Sequence, residues 1–302
     1  MSNYRKIAVL GGDRRQTSVA DFFAGHGYEV AVWGLPPDAK ASSVEVAGGW
    51  REAVCDADVL VLPLPASPDN RYLNMPLVQE ENVPPPLLLD VLRETPSHTL
   101  VAGGRLSVKH KEMLERLGRP FFDYFESEEL QQKNAIPTAE GAVEVLMHEV
   151  PQTVKGLSVA VTGYGRVSRA LSSLLVAMGA RVTVMARKSS NLLSAMAMGC
   201  DTQMLGEDGA LLRLGDRFAV IFNTVPCCLF DEEVLRGLSH ETVIVDLASA
   251  PGGVDVNAAK ALGIRAIWAL SLPGKYAPVT AGQIIGETVL SYMENREKEG
   301  AM

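Results

Sequence analysis

The chain has 302 residues, 47% of them hydrophobic and 21% charged, with a formal net charge of −8 at pH 7. That is the balance of a globular protein long enough for two domains, and an acidic excess without a long basic run argues against nucleic acid as a partner. No apolar stretch approaches the roughly 18 residues that span a bilayer, and the chain enters a strand by Ile7 with no apolar leader, so a cytoplasmic protein with no membrane partner is expected.

In chain order, an apolar strand around Ile7 and Val9 runs into the turn Gly11-Gly12-Asp13 and then, past Gly27, a second strand carries Val30 and Val32. Asp58 to Pro63 reads as a further strand ending at a proline-rich loop, PLPASPDN. Leu87-Leu88-Leu89-Asp90 and Thr99 to Gly104 read as short buried strands, and Phe121 to Phe125 as a last aromatic strand or turn. Ile136-Pro137-Thr138 introduces a helix with Val143, Leu146, Met147 and Val150 on one face, Thr138 as its N-cap and Pro151 as its stop. This helix should connect two domains.

The most informative stretch follows, Val159-Ala160-Val161-Thr162-Gly163-Tyr164-Gly165-Arg166-Val167-Ser168. A buried strand meets Gly-x-Gly, then a helical pattern (Ala170, Leu171, Leu174, Leu175, Met178) closed by Gly179, then a second strand, Arg181 to Met185. That context supports a dinucleotide site, because Gly163 allows the tight turn, Gly165 lets a pyrophosphate reach the backbone, and the helix N–H groups face the anion. Position 168 holds serine where a third glycine is preferred, and it is small enough for close packing. At the second strand's end, where NAD sites place a carboxylate, the chain reads Met185-Ala186-Arg187-Lys188-Ser189-Ser190. Two cations and no carboxylate predict NADP, with Arg187 and Lys188 on the 2′-phosphate.

Phe218 to Phe222 is a strand ending at Asn223-Thr224-Val225-Pro226, Thr242 to Val245 one ending at Asp246-Leu247-Ala248-Ser249, and Ile264 to Ala269 one leading to Ser271-Leu272-Pro273-Gly274-Lys275. All three loops lie where open α/β sheets bind ligands. Asn223, Thr224, Val225, Asp246 and Ala248 are therefore expected to line the dinucleotide groove with Gly163, Gly165, Arg166 and Val167. A terminal helix after Pro278-Val279-Thr280, with Ile284, Ile285, Val289, Leu290 and Met293 on its apolar face, should pack back on the first domain, its charged tail fraying after Glu294.

Shifting the chain by 152 residues aligns two openings without a gap, Ile7, Val9, Gly11, Gly27, Val30 and Val32 falling on Val159, Val161, Gly163, Gly179, Val182 and Val184. The fold class is thus α/β: two doubly wound Rossmann-like domains in tandem, joined by crossing helices as in 2-hydroxyacid dehydrogenases. The expected division is 1–137 plus 281–302 for a substrate domain and 138–280 for the NADP domain. Asp13 falls on Gly165, and a carboxylate there repels a pyrophosphate, so only the second copy should hold the dinucleotide.

Cys55, Cys200, Cys227 and Cys228 lack the spacing of a zinc site, so reduced thiols and no metal are expected. A D-2-hydroxyacid dehydrogenase carries an acid/base histidine in its last loops. Here the histidines are His26, His98, His110, His148 and His240, and none follows 240.

The ordered set GGDRRQ, NAIPTAEG, GYGRVSRA, NTVP, VDLASAPGG and LPGKYAPVTAGQI resembles the A subunits of dipicolinate synthase from spore-forming bacteria over nearly the whole chain. NTVP alone also looks like shikimate dehydrogenases. The resemblance implies oxidation of dihydrodipicolinate to dipicolinate during sporulation, NADP+ as hydride acceptor and partnership with a flavoprotein-like B subunit. For such a reaction Glu140, on the connecting helix, is the candidate base, and Lys275 a second catalytic candidate and a cation for the substrate. Arg14, Thr138 and the N–H groups of Gly103 and Gly104 are the remaining candidate contacts for a small dicarboxylate. A homo-oligomer is compatible with the sequence. A non-catalytic dinucleotide-binding scaffold, or another NADP-dependent dehydrogenase, is the alternative.

Overall fold

The computed structural model describes residues 4–35, 44–78, 83–206, 210–212 and 214–300. The chain divides into two compact units, residues 1–134 with 277–302, and residues 135–276. The first unit is built from β1 (Lys6–Leu10), α1 (Arg14–Gly25), β2 (Glu29–Trp33), β3 (Val44–Val46), α2 (Trp50–Val54), β4 (Val59–Val61), α3 (Leu88–Glu94), β5 (Leu100–Gly103), α4 (Val108–Arg116) and β6 (Phe121–Asp123). Helix α5 (Glu128–Glu149) carries the chain into the second unit. That unit comprises β7 (Ser158–Thr162), α6 (Arg166–Ala177), β8 (Arg181–Ala186), α7 (Ser189–Ala197), β9 (Asp201–Met204), β10 (Val220–Asn223), α8 (Glu232–Arg236), β11 (Val243–Asp246), α9 (Val256–Ala261), β12 (Arg265–Trp268) and α10 (Leu272–Tyr276). The chain then returns to the first unit as α11 (Pro278–Gly300).

Each unit holds one six-stranded sheet among the described residues, ordered β3-β2-β1-β4-β5-β6 in the first and β12-β11-β10-β7-β8-β9 in the second. All their pairings are parallel. Both sheets are therefore doubly wound with the same order, and the order reverses beside β1 and β4 in one, beside β7 and β10 in the other. The pleat explains the near-continuous apolar runs: Ile7 and Val9 enter one core cluster while Ala8 and Leu10 enter another on the opposite face. In the second unit Val159, Val161, Val220 and Phe222 face one cluster, Ala160 and Ile221 the other.

The shift of 152 residues carries β1 onto β7 and α1 onto α6 residue for residue. Beyond β2 and β8 the register is lost, because different insertions separate the later strands.

Helix α11 packs against α1, as its apolar face required. Ile284, Ile285, Val289 and Met293 share a core with Val19, Ala20 and Phe23, and a Cβ on Gly282 would run into the Arg15 carbonyl oxygen. Only glycine lets the two backbones approach this closely.

Four expectations are corrected. Leu87 to Asp90 is no strand: Leu88, Val91 and Leu92 are fully buried on one face of α3, a helical spacing that the run of leucines concealed. Thr138 is not an N-cap, because α5 starts ten residues earlier, behind Ser127, whose hydroxyl accepts from the Leu130 N–H at 3.3 Å. Pro137 lies inside that helix, where the two first-turn carboxylates Glu128 and Glu129 already complement the dipole. The terminal helix begins at Pro278 itself, and its tail stays helical to Gly300.

Candidate functional site

A cavity of about 700 Å³ opens in the second unit at the carboxyl ends of β7, β8 and β10. Its floor is the turn Gly163-Tyr164-Gly165, entered directly from β7. Gly163 has φ +86°, and a Cβ there would stand 2.6 Å from the Thr224 hydroxyl and 3.0 Å from Val225 Cγ2. A side chain would therefore close the turn against the loop after β10. At Gly165 a Cβ would meet nothing within 4 Å, so the space over the N-terminus of α6 is open. Gly165 is the N-cap of α6 and provides no side-chain cap; the first-turn N–H groups of a twelve-residue helix are left for an incoming anion.

Strands β8 and β10 flank β7, so the loops after them form the two sides of the groove. After β8 come Arg187 and Lys188, both exposed and both on the cavity wall. After β10 come Thr224, Val225, Pro226 and the exposed thiols of Cys227 and Cys228. Leu205, Ala210, Leu211 and Leu212, after β9, add apolar side chains to the wall. Asp231 and Glu233 bring carboxylates to the wall on the α8 side, whereas the β8 side carries only cations. Burial pushes the Cys228 thiol up, and the carboxylates of Asp231 and Asp255 push it further. Burial also raises the Tyr164 phenol, so both groups are neutral wall at ordinary pH.

The groove is braced from beneath by a polar knot. The Asn223 carboxamide donates to Val225 O at 3.0 Å and to Asp246 Oδ1 at 2.8 Å, and its oxygen accepts from the Thr162 hydroxyl at 2.6 Å and the Val225 N–H at 3.1 Å. Asp246 in turn accepts from the N–H groups of Ala248 at 3.0 Å and Gly253 at 2.7 Å. Every polar atom of this pair is engaged inside the protein, Asn223 fully buried and Asp246 4% exposed.

The sequence-based site thus resolves into three groups. Gly163, Gly165, Arg187, Lys188, Thr224 and Val225 come together on the cavity. Arg166 and Val167 occupy the first turn of α6 directly behind it. Asn223, Asp246 and Ala248, expected to line the groove, are not among the residues on the cavity wall: the Asn223 and Asp246 side chains make their bonds inside the protein, and the Ala248 N–H is one of the donors to Asp246. The wall residues that sequence reasoning missed include Cys227, Cys228 and Leu229, and Leu205, Gly206, Ala210, Leu211 and Leu212. Their signal was weak, because β9 is a polar edge strand (DTQM) and the segment after it has no periodicity.

Glu140 is exposed on α5, one residue before Gly141, whose absent side chain admits Leu272 and Tyr276 of α10. Lys275 is exposed on α10, and the neighbouring Tyr276 phenol, hydrogen-bonded to Glu144, is raised by that carboxylate. Thr138 lies half-buried within α5.

In the first unit Arg14 is exposed on the first turn of α1. The expectation that Gly103 and Gly104 present free N–H groups to a carboxylate is corrected for Gly104, whose N–H donates to the Pro63 carbonyl at 3.2 Å. Both glycines are buried, and a Cβ would come within 2.6 Å of Leu106 Cδ2 at one and of the Tyr124 hydroxyl at the other. Close packing explains them. Asp13 is the N-cap of α1, accepting from the Arg15 N–H at 3.0 Å and holding the Arg15 guanidinium through contacts of 2.9 and 2.8 Å.

Among the described residues no helix is long and apolar enough to cross a membrane, and no group of three or more metal-ligating side chains gathers.

Residues 6–125 match the family model of the N-terminal domain of the dipicolinate synthase A subunit. The chain is 30% identical to the dipicolinate synthase A subunit of Bacillus subtilis (strain 168), with 97% of each chain covered. The crystal structure of the dipicolinate synthase A subunit from Bacillus halodurans superposes with a TM-score of 0.82 at 26% identity, over 96% of this chain and 97% of that one. The crystal structure of its Bacillus subtilis counterpart gives 0.81 at 28% identity, over 98% and 99%. An L-alanine dehydrogenase, at 14% identity and a TM-score of 0.67 over 98% of this chain and 91% of that one, shares the fold alone.

Proposed function

The chain belongs to the family of dipicolinate synthase A subunits, and from that membership we propose that it is the NADP-dependent dehydrogenase subunit that oxidises dihydrodipicolinate to dipicolinate in sporulating cells, working in the cytoplasm beside a B subunit. The observation that carries the cofactor part is the open, uncapped N-terminus of α6 behind bare glycines, in a cavity whose β8 side carries Arg187 and Lys188. The residues present fit a dinucleotide. The first-turn N–H groups of α6 with Gly163 and Gly165 would hold the pyrophosphate, and the planar fork of Arg187, with Lys188, would hold the 2′-phosphate.

NADP+, when bound, supplies the hydride acceptor. The substrate ring gives up a hydride and a proton, and the product gains aromaticity, so the base need not be strong. In this reading Glu140 accepts the proton at its carboxylate, Lys275 orients the substrate, and Thr138 is the second unit's further contact to a small dicarboxylate. Thr224 and Val225 bound the groove and exclude water from one side of it.

The test is a turnover assay: purified chain, NADP+ and chemically generated dihydrodipicolinate, followed at the NADPH absorbance band with and without the B subunit. Growth of the band is expected; its absence in both mixtures ends the dehydrogenase assignment and leaves a dinucleotide-binding scaffold. Cofactor choice is tested separately. Arg187→Asp should weaken NADP+ binding by about tenfold or more, roughly 1.4 kcal/mol, and leave NAD+ binding nearly unchanged, whereas equal loss for both cofactors rules out a 2′-phosphate contact.

A further inference from the structure

The four cysteines stand in three different surroundings. Cys200 is buried in the core of the second unit. Cys55 is exposed at the C-cap of α2 in the first unit, its thiol donating to Asp56 Oδ1 at 3.5 Å. Cys227 and Cys228 are both exposed, and both lie on the wall of the cavity of about 700 Å³ over Gly163 and Gly165. Two adjacent thiols there bring a chemistry that the hydroxyls and carboxylates around them lack, exchange with disulfides.

The backbone fixes this pair beside the cavity and leaves it accessible. On one side the Val225 N–H donates to Asn223 Oδ1 at 3.1 Å, and its carbonyl accepts from Asn223 Nδ2 at 3.0 Å. On the other side the N–H groups of Leu229 and Phe230 both donate to the Gly253 carbonyl at 3.0 Å. The two anchors meet at Asp246, which accepts from Asn223 Nδ2 at 2.8 Å and from the Gly253 N–H at 2.7 Å. Between them Pro226, Cys227 and Cys228 are exposed and make no hydrogen bond with any described residue.

A bridge within the pair is disfavoured. Adjacent Cα atoms are about 3.8 Å apart, closer than the roughly 4.4–6.8 Å that an ordinary disulfide spans. Burial, then the carboxylates of Asp231 and Asp255 and then the Cys227 sulfur, push the Cys228 thiol up, which keeps it a poor attacking group. An adduct with a small external thiol therefore persists on the pair.

We propose that Cys227 and Cys228 form a thiol-modification site at the dinucleotide groove, where a mixed disulfide with a low-molecular-weight thiol occupies the cavity and excludes the dinucleotide; this rests on the cofactor reading above. A cysteine thiolate attacks one sulfur of a low-molecular-weight disulfide, a new S–S bond forms as the reagent's own breaks, and the second sulfur leaves as a thiolate that takes a proton from water. The cysteine sulfur is oxidised and the departing sulfur reduced. A free thiol reverses the step by the same route. By reciprocity a bound dinucleotide shields the pair from the reagent.

The test treats the full chain with oxidised glutathione, locates adducts by peptide mass, and titrates NADP+ by calorimetry before treatment, after it, and after dithiothreitol. An adduct on the pair is expected, with NADP+ affinity lowered by about tenfold or more and restored by dithiothreitol. Saturating NADP+ should slow labelling of the pair and leave labelling of Cys55 unchanged. The double variant Cys227→Ser with Cys228→Ser, compared with itself before and after treatment, should keep its affinity; Cys55→Ser should lose affinity as the wild type does, and serves if the double variant folds poorly. A wild-type chain that takes no adduct on the pair, or takes it and binds NADP+ as before, overturns this inference and leaves the cofactor reading standing, and so does a double variant that loses affinity on treatment. An untreated chain without affinity for NADP+ overturns the cofactor reading and this inference with it.

Discussion

In the amino-terminal unit the turn after β1 is filled by the protein itself, whereas in the carboxy-terminal unit the corresponding turn after β7 is bare. Gly11 and Gly12 are buried, the Gly12 N–H donates to the Asn74 carbonyl at 2.7 Å, and a Cβ on Gly11 would meet that same oxygen at 2.7 Å. Asp13 then caps α1 and is held by Arg15, whose guanidinium also reaches the Leu64 carbonyl at 2.6 Å. Gly165, at the equivalent place, is exposed and caps nothing. The same strand, turn and helix can thus either satisfy the helix N-terminus from within or reserve it for an anion, and one side chain with its covering loop makes the difference.

The largest expected effect comes from opening the closed copy. Asp13→Ala removes an N-cap and strands the Arg15 guanidinium, whose side chain is 8% exposed, so the amino-terminal unit should lose about 3 kcal/mol in urea unfolding. It should gain no dinucleotide binding, because the Asn74 segment still covers the turn. Closing the open copy is the converse. Gly165→Asp should weaken NADP+ binding on the order of a hundredfold, about 2.7 kcal/mol, by calorimetric titration, with an unchanged thermal midpoint since its Cβ enters open space. Unaltered affinity in that variant would break the comparison at its root.

A smaller effect separates the two units by pH. His110, 1% exposed in the first unit, has its pKa lowered by burial and then by Lys109, and its Nε2 has no partner among the described residues. The unfolded chain takes up a proton below about 6.5 that the folded histidine resists, so stability is full above that value. It falls as pH drops toward the folded pKa, by at most about 1.4 kcal/mol per pH unit. Hydrogen exchange at falling pH should show the amides of α4 losing protection before those of the second unit, where His148 is exposed. His110→Gln should flatten that slope.

Much of this is legible in the sequence alone. Apolar runs of β-branched residues marked β1, β7 and β10, and the gapless shift located two βαβ openings with their boundaries, because a helix and two strands of fixed lengths leave little freedom. The pairing of Asp13 with Gly165 already indicated which copy was open. Pro137 misled: a proline usually marks a first turn, yet here tertiary packing of Ala135, Ala139 and Ala142 carries α5 straight through it. Leu87 to Asp90 misled because a short apolar run has no period of its own.

Local sequence therefore determined the elements, their order and the chemistry offered at each turn, since backbone sterics and side-chain alternation act over a few residues. Tertiary structure alone decided which offered groups remain available. Asn223 and Asp246 stand at strand ends just as Thr224 does, but they are 23 residues apart in sequence and 2.8 Å apart in space, and a polar atom whose bond is made by a distant neighbour has nothing left for a ligand.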